Sequence, residues 1–127
     1  MTWWQAYIGQ AYIPGENDCA ALAVRVQAEV FGREIDLPTE RATSVRGMSR
    51  QIEAHKNDFA TRTDNPDDGD AVLMIGRGRL DHIGVFVMIN GEGYVLHAMR
   101  DAGQVCLHRL RDLHRYGLDI EGFYQWN

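Results

Sequence analysis

Residues 82–97 read HIGVFVMINGEGYVLH, and this stretch decides how the chain folds. Two runs of β-branched, aromatic and other apolar residues flank the dipeptide Asn90-Gly91. Asn-Gly is the strongest short signal for a two-residue type I′ turn, in which both residues take positive φ. The stretch therefore predicts a β-hairpin in which Ile89 faces Glu92.

The register of this hairpin places two histidines together. Counting outward from the turn puts Gly84 opposite His97, and side chains alternate between the two faces of a strand, so His82 shares a face with His97. The imidazoles become diagonal neighbours, with backbones about 7–8 Å apart, and Gly84 leaves space between them. We expect the opposite face to be the purer hydrophobic core, and the histidine face to be covered by the helix that begins near Cys19.

A helix is predicted before the hairpin, where apolar residues recur at spacings of three and four. Asn17 or Asp18 can cap its N-terminus, because their side chains accept hydrogen bonds from unpaired N–H groups. The helix runs from Cys19 to about Phe31, and Gly32 suits its C-terminal cap.

Helices precede strands along the chain. Besides the Cys19 helix, we predict a short helix over Trp3–Ala11, a helix of mixed polarity over Glu40–Phe59, and five strands at Asp70–Ile75, His82–Ile89, Tyr94–Met99, Gln104–Leu110 and Gly122–Trp126. This order indicates one α+β domain over residues 1–127, with helices packed on an antiparallel sheet of about five strands.

Composition narrows the classes of partner. The chain has 127 residues, of which 45% are hydrophobic and 24% charged, as in ordinary soluble domains. Its net charge of −5 disfavours nucleic acid and anionic membranes, since both require a basic surface. The N-terminal residues carry no signal-peptide pattern, and no run approaches the roughly 20 apolar residues of a membrane span. We therefore expect no signal peptide, no membrane partner and synthesis in the cytoplasm.

Cys19 is the candidate nucleophile. It opens the predicted helix, where unpaired N–H groups and the helix dipole favour a thiolate. Such a cysteine is by itself most often a small buried hydrophobe, and a nucleophile needs a histidine partner. The shared face of His82 and His97 provides one. We predict a Cys-His-His site in which Cys19 attacks a carbonyl, His82 carries the proton and His97 orients His82.

The other cysteine and histidines have simpler interpretations. His55, His108 and His114 lie in polar or basic stretches, which indicates solvated surface. Cys106 lies in an apolar strand, which indicates core packing, although a single disulfide to Cys19 stays open. A zinc site is the remaining alternative, but no C-x-x-C or H-x-x-x-H pair supports it. The sequence predicts no metal and no cofactor.

Four blocks in order resemble the NlpC/P60 family of cysteine peptidases. They are residues 18–22 (DCAAL), 68–72 (DGDAV), 82–86 (HIGVF) and 95–98 (VLHA). In addition, residues 7–12 (YIGQAY) and 121–126 (EGFYQW) are similar to the branch found in phage tail assembly proteins. The resemblance covers nearly the whole chain.

This resemblance implies a papain-like α+β fold and a catalytic triad of Cys19, His82 and His97. It implies that Tyr12 lines the substrate site, that Asp18 contacts substrate, and that no cofactor takes part. It also implies cleavage of peptide or amide bonds in peptidoglycan peptides by a cell-wall hydrolase of a phage or prophage tail. Other tail proteins are then the expected partners.

Departures from the family pattern concern activity. The Ser-Gly that usually follows the Cys is Ala20-Ala21 here, and the usual second Gly before it is Glu16, which adds negative charge near the site. The serine is not a triad member, so its absence leaves the chemistry in place. These residues keep open the alternative of a catalytically weak structural or binding module of the tail tip. A second alternative is an acyl hydrolase or transferase with a substrate outside the cell wall.

Overall fold

The structure, a computed structural model, describes residues 2–35 and 60–127. These ranges form a 3₁₀ helix (Trp3–Ala6), helix α1 (Cys19–Phe31), a second 3₁₀ helix (Leu110–Tyr116) and six strands: β1 (Ala60–Thr63), β2 (Ala71–Gly76), β3 (Arg79–Ile89), β4 (Glu92–Met99), β5 (Gln104–Arg109) and β6 (Leu118–Trp126). The strands make one antiparallel sheet in the order β1-β6-β2-β3-β4-β5. The α+β class is confirmed, with six strands rather than about five.

The β3–β4 hairpin has the predicted turn and register. Asn90 and Gly91 take φ values of 49° and 81°, as a type I′ turn requires. Ile89 pairs with Glu92, and Val85 pairs with Leu96. The local sequence therefore sets which residues of β3 and β4 share a face.

Helix α1 has the predicted ends. Asp18 is its N-cap, and the Asp18 Oδ1 atom accepts a hydrogen bond of 2.9 Å from the Ala21 N–H. Gly32 ends the helix in the left-handed conformation, with φ of 67°. Leu22 and Val26 on the apolar stripe are fully buried, so tertiary packing stabilises the helix along that stripe.

Helix α1 packs on β3 and β4 and covers one face of the sheet, which we call the helix face. Its buried strand residues include Ile83, Val85, Val87, Leu96 and Ala98. This face is the larger hydrophobic core, as the alternation of the hairpin predicted.

The opposite face, which we call the histidine face, carries His82 and His97 and a smaller apolar cluster. The cluster consists of Val72, Met74, Phe86, Val95 and Leu113. Leu113 belongs to the second 3₁₀ helix, so that helix covers this face. The expectation that the Cys19 helix covers the histidine face is wrong, because the apolar stripe of α1 packs against the wholly apolar side of the hairpin.

The N-terminal helix is shorter than predicted. It ends at Ala6, and Gly9 takes φ of 88°, which a helix cannot contain. The Gly9 and Tyr12 N–H groups instead donate hydrogen bonds to the carbonyls of Val105 and Gly103, at 2.9 and 3.0 Å. These long-range hydrogen bonds, which local propensity does not register, hold the segment beside β5.

Two further findings concern the remaining elements. The short edge strand β1, paired with β6, was not predicted from the sequence. The predicted Glu40–Phe59 helix lies outside the described residues. In the described ranges, no helix has the length and apolar character needed to cross a membrane.

Candidate active site

Cys19 is the first residue of α1, as predicted. Its side chain is buried in the helix-face cluster, with 3% of the residue exposed. The start of a helix concentrates unpaired N–H groups and the positive end of the dipole, so this position favours negative charge on the sulfur. Cys19 therefore occupies the helix position at which the sequence predicts the nucleophile.

An open cavity of about 240 Å³ lies beside Cys19. The paired part of β3 and β4 extends from the turn only to Val85 and Leu96, and His82 and Ala98 lie beyond it. Both of these residues line the cavity with Cys19. The cavity thus lies beyond the point where the pairing of β3 with β4 ends, and its lining includes Cys19 from the helix face and His82 from the histidine face.

Three histidines form a hydrogen-bonded chain on the histidine face. His82 Nε2 lies 2.8 Å from His97 Nδ1, and His97 Nε2 lies 2.9 Å from His108 Nδ1. His108 stacks on Tyr116, with ring centroids 4.0 Å apart and planes 18° apart. The predicted contact between His82 and His97 is therefore present, and it continues to a third imidazole.

The prediction that His108 is solvated surface is wrong. His108 is half-buried, whereas His114 is exposed as predicted, and His55 lies outside the described residues. The sequence contained the signal for His108. The loop between β4 and β5 has four residues, and counting outward from it places His108 opposite Val95, one diagonal step from His97.

Gly84 lies between the two hairpin histidines, but the space it leaves is already occupied. A Cβ at this position would overlap the Val95 side chain and come 3.1 Å from the Leu96 carbonyl oxygen. Because Gly84 has no side chain, the Val95 side chain of β4 can pack over β3 at this position. The β2–β3 register also shifts between Met74 and Ile75, next to the pair of Met74 with His82, and such irregularities re-aim side chains.

Burial keeps the histidines uncharged at neutral pH. Desolvation lowers the pKa of His82 to about 4. Desolvation, with the neighbouring His82 and His108, lowers the pKa of His97 well below its usual value. Desolvation also lowers the pKa of His108, although Asp112 opposes that shift. A neutral His82 can accept a proton, as a general base must.

Tyr12, which the family resemblance implies to be a substrate-lining residue, is part of the cavity lining. The Arg100 guanidinium, also in the cavity lining, interacts with Tyr12, and this interaction raises the pKa of Arg100. The guanidinium carbon lies 5.9 Å from the centre of the Tyr12 ring. Arg100 also interacts electrostatically with Cys19, so it adds a positive charge near the candidate nucleophile.

Asp18 has a structural role. One carboxylate oxygen accepts the Ala21 N–H at 2.9 Å, and the other accepts the Gly15 N–H at 2.8 Å. Asp18 is 5% exposed, and the described lining of the cavity does not include it. These contacts fix the turn before Cys19 and the start of α1.

The residues that depart from the family pattern do not belong to the described lining of the cavity. Glu16 is exposed and is not among the described residues that line the cavity. Ala20 is half-buried against the helix-face core, and Ala21 is buried. The two alanines therefore belong to the packing of α1.

Cys106 lies half-buried on β5, opposite His97. Burial raises the pKa of its thiol, and neither cysteine forms a disulfide. Among residues 2–35 and 60–127, no group of three or more His, Cys, Asp or Glu side chains is arranged to hold a metal ion.

No protein-family model, curated protein or solved structure matches the chain.

Proposed function

We propose that the protein is a cysteine peptidase or amidase of the NlpC/P60 type, which cleaves peptide bonds in peptidoglycan peptides and acts from a phage or prophage tail. The observation that carries the proposal is the shared cavity of Cys19 and His82. A helix-opening cysteine there shares the cavity with a half-buried imidazole that is held by a second imidazole. This is the combination of nucleophile, base and orienting group that acyl transfer requires.

The histidine contacts support a particular role for each nitrogen in the proposed reaction. His82 Nε2 is engaged with His97, so Nδ1 is the nitrogen that exchanges a proton with Cys19. Cys19 gives its proton to His82 Nδ1, and the sulfur attacks the carbonyl carbon. His82 then protonates the departing amine, which leaves a thioester on Cys19. Water hydrolyses the thioester with His82 again as the base. Backbone N–H groups at the start of α1 stabilise the oxyanion.

The cavity has charges of both signs around this centre. Arg77 and Arg100 line it together with Asp81 and Asp101. A peptide that carries both carboxylates and amines, as peptidoglycan stem peptides do, complements such a surface better than a purely anionic or purely apolar substrate. The exposed Arg100 beside Tyr12 is suited to a substrate carboxylate.

A binding module of the tail tip with little catalysis is the second candidate. The burial of Cys19, at 3% exposure, favours it, because little of this residue is open to a substrate. A module that only binds peptides would retain affinity without turnover. The two functions are therefore separated by the reactivity of Cys19.

The deciding experiment incubates purified sacculi with the protein and measures released peptides. The wild type is expected to release them and Cys19→Ala to release none. Cys106→Ala is the matched control, since it removes the other cysteine, and it should behave as the wild type does. Equal release by wild type and Cys19→Ala would overturn the proposal.

Alkylation with iodoacetamide at neutral pH provides a substrate-independent measurement. The enzyme function predicts that Cys19 is labelled faster than Cys106, whose thiol has a raised pKa. Mass spectrometry of the labelled peptides assigns the site. Labelling of Cys19 no faster than Cys106 would favour the binding module.

A further inference from the structure

The third histidine of the chain restricts the protonation of the other two. His97 is fully buried, and each of its ring nitrogens lies within 2.9 Å of a nitrogen of another imidazole. A neutral imidazole has one N–H donor and one acceptor nitrogen. Both hydrogen bonds of His97 can therefore form only if they run in the same direction along the chain.

Two directions are possible, and they have opposite consequences at the cavity. In one, His82 Nε2–H donates to His97 Nδ1, and His97 Nε2–H donates to His108 Nδ1. His82 Nδ1 then carries no proton and can accept one. In the other, the bonds run from His108 toward His82, and the neutral His82 carries its proton on Nδ1, where it cannot act as a base.

Only the first direction suits both stages of the reaction. After His82 has taken the proton from Cys19, both of its nitrogens are donors. His97 Nδ1 accepts the Nε2–H of His82 when His82 is neutral, and it accepts the same N–H when His82 is an imidazolium. Proton transfer to His82 therefore needs no rearrangement of the hydrogen bonds among the three histidines.

We infer that His108 is a positioning residue, which holds His97 as the Nε2–H tautomer and so keeps Nδ1 of His82 ready to accept the Cys19 proton. The chemistry of this inference rests on the proposed function, but its principal test does not. Stacking of His108 on Tyr116 fixes the plane of the ring, so that Nδ1 faces His97 at 2.9 Å. The hydrogen bond at one nitrogen sets the tautomer of a histidine.

The surroundings of the three histidines favour the neutral form of each imidazole. His108 is faced by His97 from β4 and by Tyr116 and Asp112 from the second 3₁₀ helix. His97 is faced by His82 and His108, and burial lowers the pKa of all three histidines. We therefore expect the three rings to be neutral at pH 7, and the tautomer of each ring can then be observed by NMR.

The principal test is nitrogen NMR of histidine-labelled protein at pH 7, which distinguishes the Nδ1–H and Nε2–H forms of each ring. We expect His82 and His97 to be Nε2–H in the wild type. In His108→Phe, which keeps an aromatic ring on Tyr116 but removes the acceptor, the Nδ1–H form of His97 should become populated. An Nδ1–H His82 in the wild type, or an unchanged His97 in folded His108→Phe, would overturn the inference.

Turnover of sacculi tests the consequence. In His108→Phe, kcat should fall about tenfold with KM unchanged, as a part of the about 10²–10⁴-fold that a general base contributes. His108→Gln should recover most of the loss, because its amide oxygen can accept the His97 N–H. The exposed His114→Phe is the matched control and should match the wild type. Failure of His108→Gln to recover kcat would contradict the role.

The two measurements keep the hypotheses apart. Expected tautomers in a protein that releases no peptides would contradict the proposed function and leave the positioning role in place. Full turnover with the opposite tautomers would contradict the role of His108 alone. The wild-type spectrum needs no variant, so the inference can be overturned even if His108→Phe does not fold.

Discussion

The two faces of the sheet divide stability and chemistry between them. The helix face buries a continuous apolar cluster under α1, and it brings Cys19 to the proposed reaction. The histidine face has a smaller apolar cluster under a 3₁₀ helix, beside three hydrogen-bonded imidazoles. The proposed nucleophile thus comes from the face with the larger core, and its proposed base comes from the other face. Both line the cavity that lies beyond the paired part of β3 and β4.

A buried polar chain is tolerated on the histidine face because its members satisfy one another. His97 is fully buried, yet both of its nitrogens have partners. An unpaired polar group at the same depth would cost about 1–3 kcal/mol. The comparison therefore predicts that substitutions on the helix face act mainly on folding. Substitutions of the three hydrogen-bonded histidines should act mainly on turnover.

The largest effect is expected at His82. His82→Gln keeps a side-chain amide near His97 but removes the base, so kcat/KM should fall about 10²–10⁴-fold. The melting temperature should change little. Turnover of sacculi and thermal unfolding measure the two quantities, with His114→Gln as the exposed control. A loss of less than twofold would contradict the assignment of the chemistry to this face.

The next effect separates the two apolar clusters. Leu22→Ala in α1 should lower the free energy of unfolding by about 2–5 kcal/mol, because it leaves a cavity in the larger core. Leu113→Ala should cost less, since a seven-residue 3₁₀ helix can shift to fill the space. Urea denaturation measures both. Leu113→Ala should reduce turnover more than Leu22→Ala, because its helix holds Tyr116 against His108. If Leu113→Ala lost more stability and Leu22→Ala lost more turnover, the division of roles between the two faces would be contradicted.

Acid should weaken the fold through the histidine face. The pKa of His82 is about 4 in the folded protein and about 6.5 in an unfolded chain. Between these values the unfolded chain binds the proton and the folded protein does not. Stability is therefore complete above about pH 6.5 and falls toward pH 4, by about 1.4 kcal/mol per unit for each such histidine.

Urea midpoints between pH 7 and pH 4.5 measure this dependence. Replacing the half-buried imidazole in His82→Phe should flatten the curve, whereas His114→Phe should leave its slope unchanged. A wild-type midpoint that does not move over this range would show that the histidines are accessible to protons in the folded state.

The smallest effect concerns Asp18, for which the family resemblance and the structure suggest different roles. As an N-cap, Asp18→Ala should cost about 1 kcal/mol, and Asp18→Asn should cost less, because Asn caps a helix about as well. Thermal unfolding and KM for sacculi peptides are compared for the two variants. An unchanged stability with a raised KM in Asp18→Asn would instead establish a contact with substrate.

Local sequence determined much of this architecture. The Asn90-Gly91 turn set the register of the hairpin, because only a few residue pairs accept positive φ at both positions. Asp18 and Gly32 marked the ends of α1 for equally local reasons. Cys19 was therefore placed at the start of a helix, and His82 beside His97, by short-range rules alone.

What only the tertiary structure decided is how these pieces face one another. A period of two in a strand places residues on a face but does not say which element covers that face, so α1 was assigned to the wrong side. The pairing of β5 with β4 drew His108 into the chain, although its basic neighbours are typical of surface. The N-terminal segment follows β5 because hydrogen bonds over about 100 residues override its local helical pattern.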